Sequence, residues 1–300
     1  MENNLLKTND EQSLGGLYFS ITIILLLVAN IVLSVVLSLI GNLKNIQGTL
    51  WYTAISFSLS GIVIIVSTLL FSKINRVKIG KLCWLKNTSA KYYLLAIATF
   101  VAIFFGLSSI NLKFVEFLQN FGYKYEPVVL PRFSPINFIV VVIVACVLPA
   151  ITEEIALRAI VLNGVKTGSV VLNATIGGLL FSIYHMNPAQ TPYQFVIGFV
   201  FSIIAIKSRS VIPTVIAHFL NNFAVICIEY FCPGFTVWGS SFASLIIGLS
   251  LVCLISVIVL LIADKGIGEK QEKSGVKRFF AYASLGIAVC ILMWISALLV

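Results

Sequence analysis

Apolar residues run through this chain in long, nearly unbroken stretches. They show neither the alternation of a half-buried strand nor the single stripe of a surface helix. Nine stretches stand out, at 17–40, 51–71, 92–112, 136–163, 170–187, 191–206, 211–231, 241–263 and 279–300. A helix rises about 1.5 Å per residue, so about 20 residues cross the roughly 30 Å apolar layer of a bilayer. The pattern predicts an all-α, polytopic transmembrane helical bundle. Eight to nine spans are expected, because the sixth stretch is short and polar residues weaken the seventh. The first stretch is too long for a signal-peptide core and lacks a small-x-small cleavage site, so it is read as a retained span. The last is read as an accessory span. No repeat or linker interrupts the series, so residues 1–300 are expected to form one integral membrane domain.

Against this background the polar positions inside spans are few. Pro-Ala-Ile-Thr-Glu-Glu-Ile-Ala-Leu-Arg places Glu153, Glu154 and Arg158 in the fourth stretch. Phe-Ser-Ile-Tyr-His places Phe181 and His185 in the fifth, and His-Phe-Leu-Asn-Asn places His218 and Asn222 in the seventh. These two histidines are the only ones in the chain. An ionisable side chain near the bilayer centre costs about 2.5–3.5 kcal/mol on insertion scales, so such groups are functional candidates. Glu229, near the outer end of its span, is read as interfacial, and Tyr184, Asn187 and Asn163 as neighbours of a site.

Composition agrees with a membrane protein: 59% of the 300 residues are hydrophobic and 10% charged, and the mean hydropathy is +1.05. Soluble domains carry about 25% charged residues. The net charge is +9, but the basic residues fall between spans, where they set topology and meet anionic lipid. Nucleic acid is therefore not an expected partner, whereas membrane lipid is. Lys73, Arg76, Lys78, Lys81, Lys86 and Lys91 mark one basic loop, and Lys265, Lys270, Lys273, Lys277 and Arg278 another. Lys166, and Lys207 with Arg209, mark two further turns. All four fall on one side if the N-terminus is cytoplasmic and the C-terminus extracytoplasmic. The expected location is the plasma membrane of a bacterium. The prolines Pro127, Pro131 and Pro135 make 113–135 an outer loop or interfacial element. The cysteines Cys83, Cys146, Cys227, Cys232, Cys253 and Cys290 show no CxxC spacing and read as small hydrophobes.

Residues four apart share a helix face. Glu154 and Arg158 are such a pair, and pairing is how two charges persist in apolar surroundings. Glu153 lies about 100° around the helix, with no partner on its own helix. An unpaired carboxylate in an apolar setting is suited to general-base work near neutral pH. His218 and Asn222 also share a face and can both donate to one oxygen, as an oxyanion developing on a peptide carbonyl requires. His185, on another helix, could hold a water against Glu153. The chemistry implied is peptide hydrolysis by a Glu/His-activated water opposite a His/Asn oxyanion site.

The ordered motifs EExxxR (Glu153, Glu154, Arg158), FxxxH (Phe181, His185) and HxxxN (His218, Asn222), each in an apolar helix, resemble the CPBP family. That group, also called Abi, comprises CAAX-protease and bacteriocin-processing intramembrane proteins. The resemblance covers roughly 136–231, the motif-bearing core. It implies a CAAX-protease-like fold and endopeptidase activity, in which Glu153 and His185 activate water and His218 and Asn222 stabilise the oxyanion. Glu154, Arg158 and Phe181 are supporting residues. It also implies a membrane-associated peptide or protein substrate, prenylated or bacteriocin-like.

Members of that family were long described as metalloproteases. If zinc were held, Glu153, His185 and His218 would be its three ligands, with an open fourth position. HExxH is absent, and an Asn one turn from His218 suits hydrogen bonding better than zinc, so no metal cofactor is favoured. Two other classes compete: a proton-coupled carrier, disfavoured by the absence of inverted repeats and broken helices, and a non-catalytic immunity or scaffold protein that keeps the fold. One geometric demand follows. Glu153 and His185 each lie about 24 Å along their helices from the turn near Gly168, whereas His218 lies about 10 Å from the Lys207–Arg209 turn. Convergence therefore requires a tilted hairpin, or one protruding around 160–172.

Overall fold

The structure, a computed structural model, describes residues 2–40, 46–76, 83–125, 127–267 and 273–299. Lys78, Lys81 and Lys270 of the basic loops, and Val300 at the end of the last predicted span, lie outside the described residues. The helices are α1 (Glu2–Ile40), α2 (Leu50–Ile74), α3 (Ala90–Asn120), α4 (Pro135–Gly164), α5 (Val170–Tyr184), α6 (Pro188–Ser208), α7 (Ile212–Phe231), α8 (Ala243–Ala263) and α9 (Lys277–Leu299). Eight of them are long and apolar enough to cross a membrane, and α5 is shorter. Each predicted span therefore meets a helix. The chain is an integral membrane protein with a polytopic helical fold.

Two boundaries differ from expectation. Helix α1 begins at Glu2 rather than near 17, because the polar 2–16 segment continues the helix beyond the apolar run. Helix α3 continues to Asn120, so the expected 113–135 loop is helical in its first third and extended only from Tyr123. Local signals set other ends. Pro135 opens α4 behind Ser134, whose side chain accepts from Asn137 N–H. Ser169 caps α5 by accepting from Leu172 N–H, after Gly168 turns at φ +83°.

Helix α4 lies at the centre and packs on α1, α2, α5, α6 and α7. Its first half keeps an outward apolar face at Ile136, Ile139 and Ile143, while Ala156 to Leu162 is buried. Helices α5 and α6 approach through Gly178 and Gly198. A Cβ on Gly178 would lie 2.9 Å from both the Phe195 carbonyl oxygen and the Phe199 nitrogen. The Gly177-Gly178 pair thus permits close helix packing there. Helix α9 packs along α1 and reaches α5. Exposed leucine, isoleucine and valine side chains cover the outer faces of α1, α2 and α8.

The basic turns gather at one end of the bundle. Val211 N–H donates to Trp84 O and Ile267 N–H to Lys207 O. Lys91 Nζ lies 2.7 Å from Asp264 Oδ1, and Tyr92 donates to Asp264 Oδ2 at 2.5 Å. Lys166–Thr167 forms a short antiparallel ladder with Lys273–Gly275. The 160–172 hairpin does not stand free. Beyond the ladder, Lys166 pairs with Glu11 at 3.1 Å, and Gly164 lies against Gly15 and Phe279. The segment between α8 and α9 therefore serves both turns, binding 207 at its start and 166–167 at its end.

Candidate active site

Helix α4 brings its three charged residues into the centre of the bundle, where Glu153, Glu154 and Arg158 are all buried. Glu154 Oε1 makes two contacts: Arg158 Nη1 at 3.3 Å, one turn along the helix, and His218 Nδ1 at 3.1 Å, from α7. Glu154 thus does more than neutralise its helical neighbour, because it also holds one of the two histidines. A carboxylate can only accept, so His218 donates from Nδ1 and turns Nε2 the other way.

Arg158 is 1% exposed. Its guanidinium carbon lies 3.9 Å from the centroid of Phe181 and 5.8 Å from that of Phe201. Two aromatic faces from α5 and α6 therefore seat the cation where water cannot, a placement worth about 2 kcal/mol when desolvated. Phe181, expected to be a supporting residue, is the platform for Arg158. It also packs edge-on to His185, with centroids 4.7 Å apart.

Glu153 faces the other histidine. Its Oε2 is buried without a hydrogen-bond partner and lies 3.9 Å from His185 Nε2. His185 Nδ1 is 2.8 Å from Phe181 O. A carbonyl oxygen can only accept, so Nδ1 carries the proton, and in the neutral ring Nε2 is a bare acceptor aimed at Glu153. The ring is placed by the end of α5. The helix stops at Tyr184, and Met186 takes a left-handed conformation at φ +50°, a rare choice for a residue other than glycine or asparagine. The turn that follows is pinned from three sides. Asn187 Oδ1 accepts from Ala189 N–H, Asn111 Nδ2 donates to Ala189 O, and Trp294 Nε1 donates to Thr191 Oγ1 at 2.7 Å. The last span, expected to be accessory, thus contacts the turn that follows His185.

Asn222 sits one turn beyond His218 on α7. Its Nδ2 donates to Ala145 O of α4 at 3.2 Å, so one of its two amide hydrogens is already committed. Asn221, the preceding residue of α7, contacts Asn222 Oδ1 at 3.5 Å and shares a cleft with it. That cleft lies between α3, α6 and α7 and is lined by Phe100, Gln194, Phe201, His218, Asn221 and Asn222 among others. Glu229 is exposed.

All four predicted site residues and their three supports therefore gather where α4, α5 and α7 meet. Sequence reasoning passed over Phe201, Tyr193, Thr191 and Trp294. The first two look like ordinary aromatic core, and the last two lie outside any motif, so no pattern marks them. The zinc alternative needs three converging ligands. Among the described residues no group of three His, Cys, Asp or Glu side chains is placed to hold a metal. A carboxylate on Nδ1 would leave His218 Nε2 able to bind a metal, but as placed the set named for zinc does not form a three-ligand group.

No curated protein and no solved structure matches the chain. Residues 135–224 match the family model of Rce1-like type II CAAX prenyl endopeptidases. That interval runs from the start of α4 to just past Asn222 and contains every residue of the site. The motif-bearing core of this membrane protein is thus similar to the Rce1-like type II CAAX prenyl endopeptidases, over about a third of the chain.

Proposed function

We propose that the protein is an intramembrane endopeptidase that hydrolyses a peptide bond of a membrane-associated peptide or protein, without a metal. The observation that carries this reading is the apposition of Glu153 Oε2 and His185 Nε2 at 3.9 Å. The gap is too long for a direct hydrogen bond, and it suits two acceptors that share the hydrogens of one water. Such a water turns a lone pair towards a carbonyl carbon. Its oxygen forms the new C–O bond while Glu153 takes the proton. The carbonyl electrons move to the oxygen, which His218 Nε2 and the second N–H of Asn222 stabilise. Collapse breaks the C–N bond, and the departing amine takes the proton from Glu153. His218 donates from Nε2 as well as Nδ1 only as an imidazolium, and Glu154 supplies the counter-charge.

The family model that the core matches favours a CAAX-type prenylated substrate, and a bacteriocin-like peptide is the alternative that the motifs also support. The basic loops favour a cytoplasmic N-terminus and an extracytoplasmic C-terminus. Wild type, Glu153→Ala and His218→Ala are to be purified and offered prenylated CAAX peptides and a general peptide library. Cleavage by wild type alone, unaffected by chelators, is expected. Equal cleavage by all three proteins would falsify the mechanism, and loss of wild-type activity on chelation, restored specifically by zinc, would replace it with metal chemistry. No cleavage alongside Glu153-dependent solute flux in liposomes would favour a carrier.

A further inference from the structure

We infer that Tyr193 and Asn221 are positioning residues that fix the orientation of the Asn222 side-chain amide. This rests on the reading of Asn222 as an oxyanion donor. Three contacts form a line across α6, α7 and α4. The Tyr193 hydroxyl is 2.7 Å from Asn221 Oδ1, Asn221 Nδ2 is 3.5 Å from Asn222 Oδ1, and Asn222 Nδ2 is 3.2 Å from Ala145 O.

The direction of this line is set by its far end. Ala145 O can only accept, so Asn222 faces it with N–H and not with oxygen. Asn222 Oδ1 then points back and has to accept, so Asn221 meets it with N–H. Asn221 Oδ1 in turn has to accept, and the Tyr193 hydroxyl is the donor that reaches it. Reversing any one amide would set donor against donor or acceptor against acceptor. With the line intact, Asn222 keeps one amide hydrogen uncommitted, beside His218 in the cleft.

The anchor itself comes from the sequence. In a regular helix Ala145 O would accept from the N–H of residue 149. That residue is Pro149, which has no N–H, and the helix widens into a π-turn over Ile143–Val147 at this point. The carbonyl is therefore open to a side chain from α7. Tyr193 and Asn221 are both half-buried in that region. The link between the two asparagines is the long one, so the relay depends on Tyr193 to keep Asn221 from turning.

The test uses the full-length protein with Tyr193→Phe and Asn221→Leu, read in two ways. With 15N-asparagine labelling, the Asn222 side-chain amide resonance, assigned by its disappearance in Asn222→Asp, is expected to shift in both variants. With a cleaved peptide, kcat is expected to fall about tenfold with KM within about twofold. That loss is smaller than the roughly hundredfold cost of deleting an oxyanion donor outright. The pH profile is expected to stay unchanged, since no proton-transfer group is touched. An unshifted Asn222 resonance in Tyr193→Phe overturns the relay, whatever the activity. A shifted resonance with unchanged kcat overturns the positioning role. If wild type cleaves nothing, the proteolytic reading fails, and the resonance alone decides whether the relay exists.

Discussion

Glu154 is the residue whose replacement best separates stability from chemistry. Its Oε1 serves Arg158 at 3.3 Å and His218 at 3.1 Å, in a position without solvent exposure. Glu154→Gln keeps the shape and one acceptor oxygen but removes the charge. A hydrogen bond to a charged group contributes about 1.5–3 kcal/mol and a neutral one about 0.5–1.5, so the bond from His218 loses roughly 1–1.5 kcal/mol. The guanidinium also loses the carboxylate it touches, with only the more distant Glu153 left to it, and breaking a buried pair from one side costs about 3–5 kcal/mol. The faces of Phe181 and Phe201 remain, at 3.9 and 5.8 Å, and offset part of this. The expected loss of stability is about 3 kcal/mol.

The decisive variant is Glu154→Gln with Arg158→Met. Methionine fills similar volume and packs well on an aromatic ring, and replacing a buried ion pair by apolar groups is often neutral. Thermal unfolding of the purified double variant is expected to return to within about 1 kcal/mol of wild type. Peptide cleavage is not expected to return, because His218 Nδ1 still lacks a carboxylate. Its kcat should stay at least tenfold below wild type, since about 1.4 kcal/mol corresponds to a factor of ten. Recovery of both stability and activity would refute the reasoning, because Glu154 would then serve only to neutralise Arg158.

Three further outcomes are expected. Trp294→Phe removes the 2.7 Å bond to Thr191 and should cost about 1 kcal/mol of stability, with kcat reduced several-fold; unchanged kcat at lowered stability would separate the last span from the site. Gly178→Ala sets a Cβ 2.9 Å from two backbone atoms of α6, so α5 and α6 should move apart at a cost of about 1–3 kcal/mol, read by melting in detergent. Asp264 is pushed up by partial burial, but donation from Lys91, Tyr92 and Gly266 N–H outweighs this and holds its carboxyl below the ordinary 3.8. A depressed folded value gives stability that is present above 3.8 and is lost as pH falls through the folded value. The melting difference between wild type and Asp264→Asn should therefore be full at neutral pH and vanish in strong acid, and a difference that grows on acidification would contradict the assignment.

Much of the fold was legible because the bilayer leaves few options. Only helices satisfy the backbone internally in apolar surroundings, so runs of apolar residues give the spans. What the runs could not give was where helices end in water, since Glu2 to Gly16 and Lys113 to Asn120 are helical without being apolar. In the site, helical spacing brought Glu154 to Arg158, Phe181 to His185 and His218 to Asn222, because one turn is a local rule. The contacts between helices followed no local rule. That Glu154 holds His218 and that Arg158 rests on Phe181 and Phe201 depend on how four helices are rotated, which the motifs do not encode.

One feature joins the local and the non-local parts. At two places a helix leaves a backbone carbonyl without its regular donor, and in both a site side chain takes it. At the end of α5 the N–H of His185 turns to Ser182 O, and Phe181 O, its regular acceptor, receives His185 Nδ1. In α4, Pro149 has no hydrogen for Ala145 O, which receives Asn222 Nδ2. In water such carbonyls would be hydrated and would orient nothing. Within a bilayer an unsatisfied carbonyl costs several kcal/mol, so each irregularity becomes a strong, directional anchor. The anchor at Phe181 fixes which nitrogen of His185 faces Glu153. The anchor at Ala145 fixes which end of the Asn222 amide faces the cleft. The breaks in the helices and the polar groups of the site are thus parts of one device: each break selects the tautomer or amide orientation that water activation and oxyanion binding would require.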